Sequence, residues 1–276
     1  MKTLLHLSDI HFGKTDGSVV RALALACAKT HPDLVVLSGD ITQRARKSEF
    51  AAARDFLIAL KEKGLTVCAI PGNHDIRPLY SPLKRTRSAY DRFNEFIAPV
   101  VSGSYIDAEI AVGNINTVRR SRLKGGQVAR KDVSDAVEWF AAVPEKAVRI
   151  VVTHHPLDLP LSYPKRKLAR RAAHGIYTLS EARIDLYLSG HYHRSSAIGT
   201  HIRYTKPHHA AVAVQAGTVS TRRRGERQSF NVIEIERKRM SVTHYLWDSA
   251  QKTFMPSKTH HFAYEEGVWK AAVSWR

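Results

Sequence analysis

A chain of 276 residues that is 43% hydrophobic and 25% charged is long and apolar enough for a folded core and is not a disordered polyelectrolyte. No apolar run approaches the roughly 18 residues that cross a membrane, and Met1-Lys2-Thr3-Leu4-Leu5-His6 opens a strand rather than a secretory signal, so a cytoplasmic location is expected, with peripheral contact to the inner membrane left open. The net charge of +18 suits anionic partners (nucleic acid, phosphorylated metabolites or an anionic membrane surface), although a merely solubilising basic surface accounts for it equally well.

In chain order, Thr3–Ser8 reads as a first strand and Ser18–Thr30 as a helix, with Ser18 as its N-cap and Pro32 beyond its end. Leu34–Leu37 is a continuous apolar run, the pattern of a strand covered on both faces. Ser48–Lys63 carries Phe50, Ala53, Phe56, Leu57 and Leu60 on one helical face and is followed by Gly64 as a C-cap. Val67–Ile70 is the next strand. This alternation predicts a parallel sheet with helices outside it.

Ser88–Ile97 and Lys131–Ala142 read as helices and Arg149–Val152 as a strand; short strands are expected between Val101 and Thr117. Leu157–Gly175 is basic and punctuated by proline, the texture of a mobile loop or lid. Thr178-Leu-Ser-Glu181 fits a capping box opening a short helix. Asp185–Leu188 follows as a strand. Ala211–Gln215, Phe230–Glu236 and Ser241–Trp247 look like strands without intervening helices. The expected organisation is a single 1–276 domain: ligand-bearing βα units over 1–193, then mainly second-sheet strands and a tail over 194–276. Cys27 and Cys68 fall in helix and strand patterns, as buried free thiols rather than a disulfide or metal site.

Five apolar runs end in residues of metal-ligand type. They deliver Asp9 and His11, then Gly39-Asp40, then Gly72-Asn73-His74-Asp75, then His154-His155, then Gly190-His191-Tyr192-His193. Ligands of open α/β sheets collect at the carboxyl ends of strands, so residues far apart in sequence can converge there. Imidazole nitrogen and carboxylate oxygen together suit zinc, manganese or iron. Each element alone is a weak signal, since a glycine-aspartate after a strand usually marks a turn. Their number and order make the signal, and they point to a pair of metal ions bridged by Asp40.

The ordered set resembles the calcineurin-like metallophosphoesterase superfamily, and its texture is similar to the bacterial cyclic-nucleotide phosphodiesterase-like (Icc-type) group. Ala216-Gly217-Thr218, Arg224-Gly225-Glu226 and Ser229-Phe230-Asn231 share that texture. The resemblance implies a two-sheet α/β/β/α sandwich with metal-binding loops at strand carboxyl ends. It places one metal on Asp9, His11, His193 and bridging Asp40, and the other on Asp40, Asn73, His154 and His191, with His155 as the alternative to His154. It leaves His74 beside the metals as an imidazolium that contacts the phosphoryl group or protonates the leaving group, oriented by Asp75. A hydroxide shared by two divalent ions (manganese, iron or zinc) would attack phosphorus in line.

A second anionic group on the substrate would meet basic residues. Arg222 and Arg224 are the better candidates because Gly225 suggests a shaped loop; Arg44, Arg46 and Arg77 also follow ligand loops. The expected substrate is a phosphodiester of cyclic-nucleotide or glycerophosphodiester type. Alternatives are a nuclease, and a lipid-linked pyrophosphatase or phosphodiesterase docked through Lys165–Arg171 beside Leu157, Leu159 and Leu161. A scaffold with a degraded site is disfavoured because the ligand set is complete. The sequence leaves the oligomeric state open.

Overall fold

A computed structural model describes residues 1–76, 89–119, 122, 124–205, 207–236 and 238–274. Arg77, the basic run at Lys84–Arg87 and the predicted helix start at Ser88 lie outside the described residues. The chain runs β1 (Lys2–Leu7), α1 (Gly17–Thr30), β2 (Leu34–Leu37), α2 (Lys47–Glu62), β3 (Val67–Ala69), α3 (Asp91–Phe96), β4 (Tyr105–Ile106), β5 (Ile110–Asn114), α4 (Arg130–Ala141) and β6 (Val148–Val152). It continues through α5 (Ala172–Glu181), β7 (Leu186–Ser189), β8 (Ser196–Gly199), β9 (Val212–Gln215), β10 (Ser229–Glu236), β11 (Arg239–Asp248), β12 (Thr253–Glu265) and β13 (Val268–Ala272).

The strands form two sheets, one of seven in the order β13-β12-β11-β10-β1-β2-β3 and one of six in the order β4-β5-β6-β7-β9-β8. β1, β2 and β3 are parallel, and so are β5, β6, β7 and β9. Side-chain alternation builds the layers. Leu5, Leu7, Val35 and Leu37 point outward to Leu23 and Cys27 of α1 and to Phe50, Leu57 and Leu60 of α2. Leu4, Leu34, Val36 and Cys68 point inward and meet Ile150, Val152, Leu186, Leu188 and Val214 of the other sheet. Ala111, Val151, Tyr187 and Ala213 turn outward under α4 and α5. This is the α/β/β/α sandwich.

Several local expectations are corrected. The cap of α1 is Asp16, whose carboxylate accepts from Ser18 N at 2.7 Å, so Ser18 already lies inside the helix. Thr178 lies within α5 and Glu181 is its last residue, so no capping box opens a helix there. The strands after residue 194 are not mainly second-sheet strands. β8 and β9 extend the sheet already built by β5–β7, while β10 pairs antiparallel with β1 and carries β11–β13 into the first sheet.

The segment after β6 is pinned rather than a free lid. The buried Asp158 carboxylate pairs with Arg203 at 2.7 Å, and the same guanidinium donates to the Leu159 carbonyl at 2.9 Å. Tyr204 donates to the Leu157 carbonyl and Tyr192 to that of Lys167. Leu157 and Leu159 are 2% and 1% exposed, against 62% for Leu161, so one of the three leucines expected to face a membrane is available. Among the described residues no helix is long and apolar enough to cross a membrane.

Candidate metal centre

The parallel strands of both sheets deliver their carboxyl ends to one rim of the sandwich, and the five loops meet there. Their backbones are held close. A Cβ on Gly72 would collide with Asp40 N and Oδ1, and one on Gly190 with Ser8 Oγ and Asp9 Oδ2. Only glycine lets these loops approach. Asp9, His11, Asp40, His191 and His193 all adopt positive φ, between 51° and 77°. Non-glycine residues rarely do so, and such strain concentrates at functional sites where the surroundings over-determine it.

Two side-chain clusters flank Asp40. In the first, Asp9 Oδ2 accepts from Ser8 Oγ at 2.6 Å and from His191 N at 2.9 Å. Asp9 Oδ1 is buried and makes no hydrogen bond among the described residues. It lies 3.0 Å from His193 Nε2 and 3.7 Å from His11 Nε2. His11 Nδ1 meets the Thr42 carbonyl at 3.2 Å and His193 Nδ1 the Arg222 carbonyl at 2.6 Å. A carbonyl only accepts, so each Nδ1 carries the proton and each Nε2 presents its lone pair inward. Those two Nε2 atoms are 3.2 Å apart.

The second cluster obeys the same logic. His154 Nδ1 donates to the Ser38 carbonyl at 2.9 Å, which leaves Nε2 facing Asn73 Oδ1 at 3.1 Å and Asp40 Oδ1 at 3.4 Å. His191 Nε2 donates to the Lys124 carbonyl at 3.0 Å, which turns Nδ1 to Asn73 Oδ1, also at 3.0 Å. Asp40 presents Oδ2 to His11 at 3.7 Å and Oδ1 to His154. Lone pairs thus converge on both sides of one carboxylate, a donor set that fits a cation on each side.

The electrostatics agree. Burial opposes charging His154, yet the Asp40 carboxylate outweighs it and raises His154 to about 9. Asp9 likewise raises His193 against its burial. Both carboxylates are held below their ordinary range despite burial, Asp9 chiefly by His193 and Asp40 chiefly by His154. The site demands positive charge, and protons and metal ions compete to supply it.

The structure brings together Asp9, His11, Asp40, Asn73, His154, His191 and His193, and groups Asp9 with His11 and His193, and Asp9 with Asp40 and His154. His155 stands behind His191 in a third grouping with His154. Its Nδ1 meets the Thr117 hydroxyl at 3.0 Å, so His154 is the one of the pair that faces Asp40 and Asn73. Asp75 does not orient the His74 ring. It accepts from the backbone N–H groups of Ile41, Thr42 and Gly72 and from the Thr42 hydroxyl, locking the Asp40 loop onto the Asn73 loop. The His74 ring is held instead by the Gln43 carbonyl at 2.7 Å, and burial pushes its pKa down. Arg222 reaches the site, with Nη1 3.1 Å from His74 Nε2. Arg224 stays exposed on the rim, where its carbonyl accepts from Arg194, and Arg44 and Arg46 are exposed.

Sequence reasoning missed Ser8, Gln43 and the Thr218–Ser220 strap. Thr218 Oγ1 donates to the Asp9 carbonyl at 2.6 Å. The Ala216-Gly217-Thr218 texture was the one available signal for the strap.

Two phosphatases are among the solved structures that share this fold. A dimetal phosphatase from Danio rerio aligns at TM-score 0.64 and 10% identity, over 96% of this chain and 99% of that one. Purple acid phosphatase PPD1 from yellow lupin (Lupinus luteus) seeds aligns at TM-score 0.61 and 10% identity, over 94% of this chain but 53% of its own length. At such identity the likeness is one of fold alone. No curated protein matches the chain in sequence. The model of the calcineurin-like phosphoesterase family matches residues 2–195, a span that runs from β1 through the His191–His193 loop, and the chain belongs to that family.

Proposed function

We propose that the chain is a metal-dependent phosphoric ester hydrolase acting on phosphodiesters. The observation that carries this reading is the pair of lone-pair clusters sharing Asp40. Asp9, His11 and His193 would hold one divalent ion, and Asn73, His154 and His191 the other, with Asp40 common to both; manganese, iron and zinc all suit these donors. Bound there, such ions lower the pKa of water to supply a nucleophile near neutral pH and neutralise phosphoryl charge. The protein's own part is to fix that geometry. Carbonyls of Thr42, Arg222, Ser38 and Lys124 lock the four imidazole tautomers, and Ser8 and the His191 amide hold Asp9. Two carboxylates against two divalent ions leave the site net positive, which favours an anionic ester over a neutral one.

The diester preference rests on the sequence texture, with cyclic nucleotides and glycerophosphodiesters as the first substrates to try. Nucleic acid is a second reading, favoured by the exposed Arg194, Arg223 and Arg224, which adjoin His193 and Arg222 in sequence. Its affinity would fall steeply with salt. The test compares bis(p-nitrophenyl) phosphate with p-nitrophenyl phosphate on manganese-loaded protein, with Asp40→Ala as control. Diester turnover that vanishes in the variant is expected; preference for the monoester would overturn the diesterase assignment.

A further inference from the structure

We propose that the cavity at the amino ends of β6 and β7 is a second anion site, separate from the metal centre and built for a small tetrahedral oxyanion such as inorganic phosphate. The site does not depend on the phosphoesterase reading above. The strands that carry metal ligands also fix where it lies. Arg149 is near the start of β6 and His154 lies beyond its end. Five residues of extended chain, at about 3.3 Å each, put roughly 16 Å between them. At that far end the two sheets and the turns after α4 and β10 enclose about 160 Å³, lined by Lys146, Arg149, Arg183, Lys238 and Tyr264. This is well below the roughly 300–1,000 Å³ of pockets for drug-sized ligands, and it suits an ion.

Charge comes first. Four cations line the cavity, Lys146, Arg149, Arg183 and Lys238, against two carboxylates, Glu145 and Asp185. Asp185 already has three donors: Trp269 Nε1 at 2.9 Å and His209 Nε2 at 3.1 Å on Oδ1, and the Arg149 amide at 3.0 Å on Oδ2. Glu145 meets Arg183 at 3.2 Å but is 84% exposed, where an ion pair contributes little. Lys146 and Lys238 make no ion pair among the described residues. The Arg149 guanidinium donates to the carbonyls of Ala182 at 2.7 Å and Val143 at 3.1 Å, which fix it in place without cancelling its charge. Positive charge is in excess, and a concave wall of one sign concentrates the field on an anion.

The donors are also held in place. The Tyr264 amide donates to the Lys238 carbonyl at 2.8 Å, and the Tyr264 ring lies 5.7 Å from Lys238 Nζ and 5.2 Å from the His209 ring. The Tyr264 hydroxyl stands close enough to Arg183 to raise it above its ordinary value, with Glu145 adding to the effect. Arg183 itself follows α5 with φ at 54°, the left-handed conformation that glycine fills without strain at a helix end. Arginine at this position strains the backbone and sets a guanidinium on the cavity wall. Its planar fork matches two oxygens of a phosphate, and the lysines supply mobile point charges beside it.

The experiment titrates metal-depleted full-length protein with inorganic phosphate and follows the indole N–H signal of Trp269, the Asp185 partner beside the cavity. A saturable shift is expected, and Asp40→Ala, which disables the metal centre, should show the same one. Arg183→Ala should weaken binding about tenfold or more, as for loss of a charge-assisted hydrogen bond. Tyr264→Phe, which keeps the ring packing, should weaken it less. Glu145→Gln should tighten it by freeing Arg183. Lys258→Ala, which removes an exposed cation from the middle of β12, should leave it unchanged. Turnover of bis(p-nitrophenyl) phosphate by manganese-loaded Arg183→Ala should match the parent. The absence of a saturable Trp269 shift in the parent would overturn the second site. So would equal weakening by Arg183→Ala and Lys258→Ala, the mark of diffuse attraction to a basic surface. Neither result touches the metal centre, whose own failure would show as a parent protein that hydrolyses no ester.

Discussion

Asp9, His11 and His193 lie sealed at 0%, 0% and 2% exposure, whereas on the other side of Asp40 only His154 is sealed and Asn73 and His191 are partly open. The two half-sites also differ in charge. The first combines two imidazoles with two carboxylates, Asp9 and the shared Asp40. The second has two imidazoles, the same Asp40 and a neutral amide. A cation in the first half meets more negative charge in a drier setting, where Coulomb attraction is stronger. A nearly symmetric donor set is therefore expected to be asymmetric in affinity. The first half should retain an ion more tightly, and an ion in the second should exchange more readily and keep more charge to offer an anion.

The largest test removes what the halves share. Asp40→Ala should lose both ions in metal analysis and drop turnover to the level of the metal-free protein. A variant that still held two ions would show that Asp40 is not common to both halves. Next in size is the asymmetry itself. Metal-depleted protein titrated with manganese should fill in two steps, and a chelator should strip the weaker ion first. Asn73→Ala should bind one ion. Asn73→Asp should narrow the gap between the two affinities by about tenfold or more, given an added charge in contact with the ion, and lower kcat as the second ion loses net charge. A single step in the parent protein would break the comparison.

A smaller effect probes the first half alone. Ser8 Oγ donates to Asp9 Oδ2 at 2.6 Å and so turns Oδ1 toward the two imidazoles. Ser8→Ala should weaken the tighter step about tenfold, the lower end of the loss from removing a partner of a ligand, and leave the weaker step unmoved. Equal weakening of both would mean that Ser8 shapes the loops rather than Asp9.

Much of this was legible in sequence because it depends on local pattern. Leu34–Leu37 is apolar throughout since both faces of β2 are covered, and the turn residues after it mark where the side chains of the site begin. Parallel strands then bring their ends together without further information. What was not legible depends on partners distant in sequence. His154 and His155 both follow β6, and partners distant in sequence distinguish them: Ser38, Asp40 and Asn73 for His154, and Thr117 for His155. The Leu157–Gly175 segment looks like a lid until Arg203, which lies beyond the His191–His193 loop, is seen to tie down its start at Asp158 and Leu159. β12 escaped notice because its middle residues are exposed and include Pro256, so no alternation betrays it. The role given to Asp75 failed because adjacency in sequence to His74 says nothing of direction, and its carboxylate turns to the Asp40 loop instead.

The smallest expected effect comes from a change that should leave both half-sites alike. Beneath the loops, His6 Nε2 meets Ser38 Oγ at 3.0 Å, Asn231 Nδ2 lies 3.4 Å from His6 Nδ1, and His244 Nδ1 donates to Asn231 Oδ1 at 2.7 Å. Burial pushes His6 down to about 3, with Asp9 opposing, and pushes His244 down to about 4, aided by neighbouring His260 and Lys258. An unfolded histidine titrates near 6.5. Below that pH the unfolded chain binds protons that the folded one refuses, so these two groups withdraw stability as pH falls from about 6.5 toward 4. His154 and His193 have the opposite sign in metal-free protein. Their raised values give stability that is complete below about 6.5 and lost as pH climbs, for His154 through about 9, so they add no slope on the acid side. His244→Asn keeps a donor near the Nδ1 position but cannot be charged. Relative to the parent, its Tm should improve steadily between pH 7 and pH 5, while the two-step manganese titration stays as it was. A parallel pair of Tm curves would mean that His244 is not held neutral by its surroundings. A shifted titration would mean that the buried polar layer under Ser38 is coupled to the metal ligands and not merely packed below them.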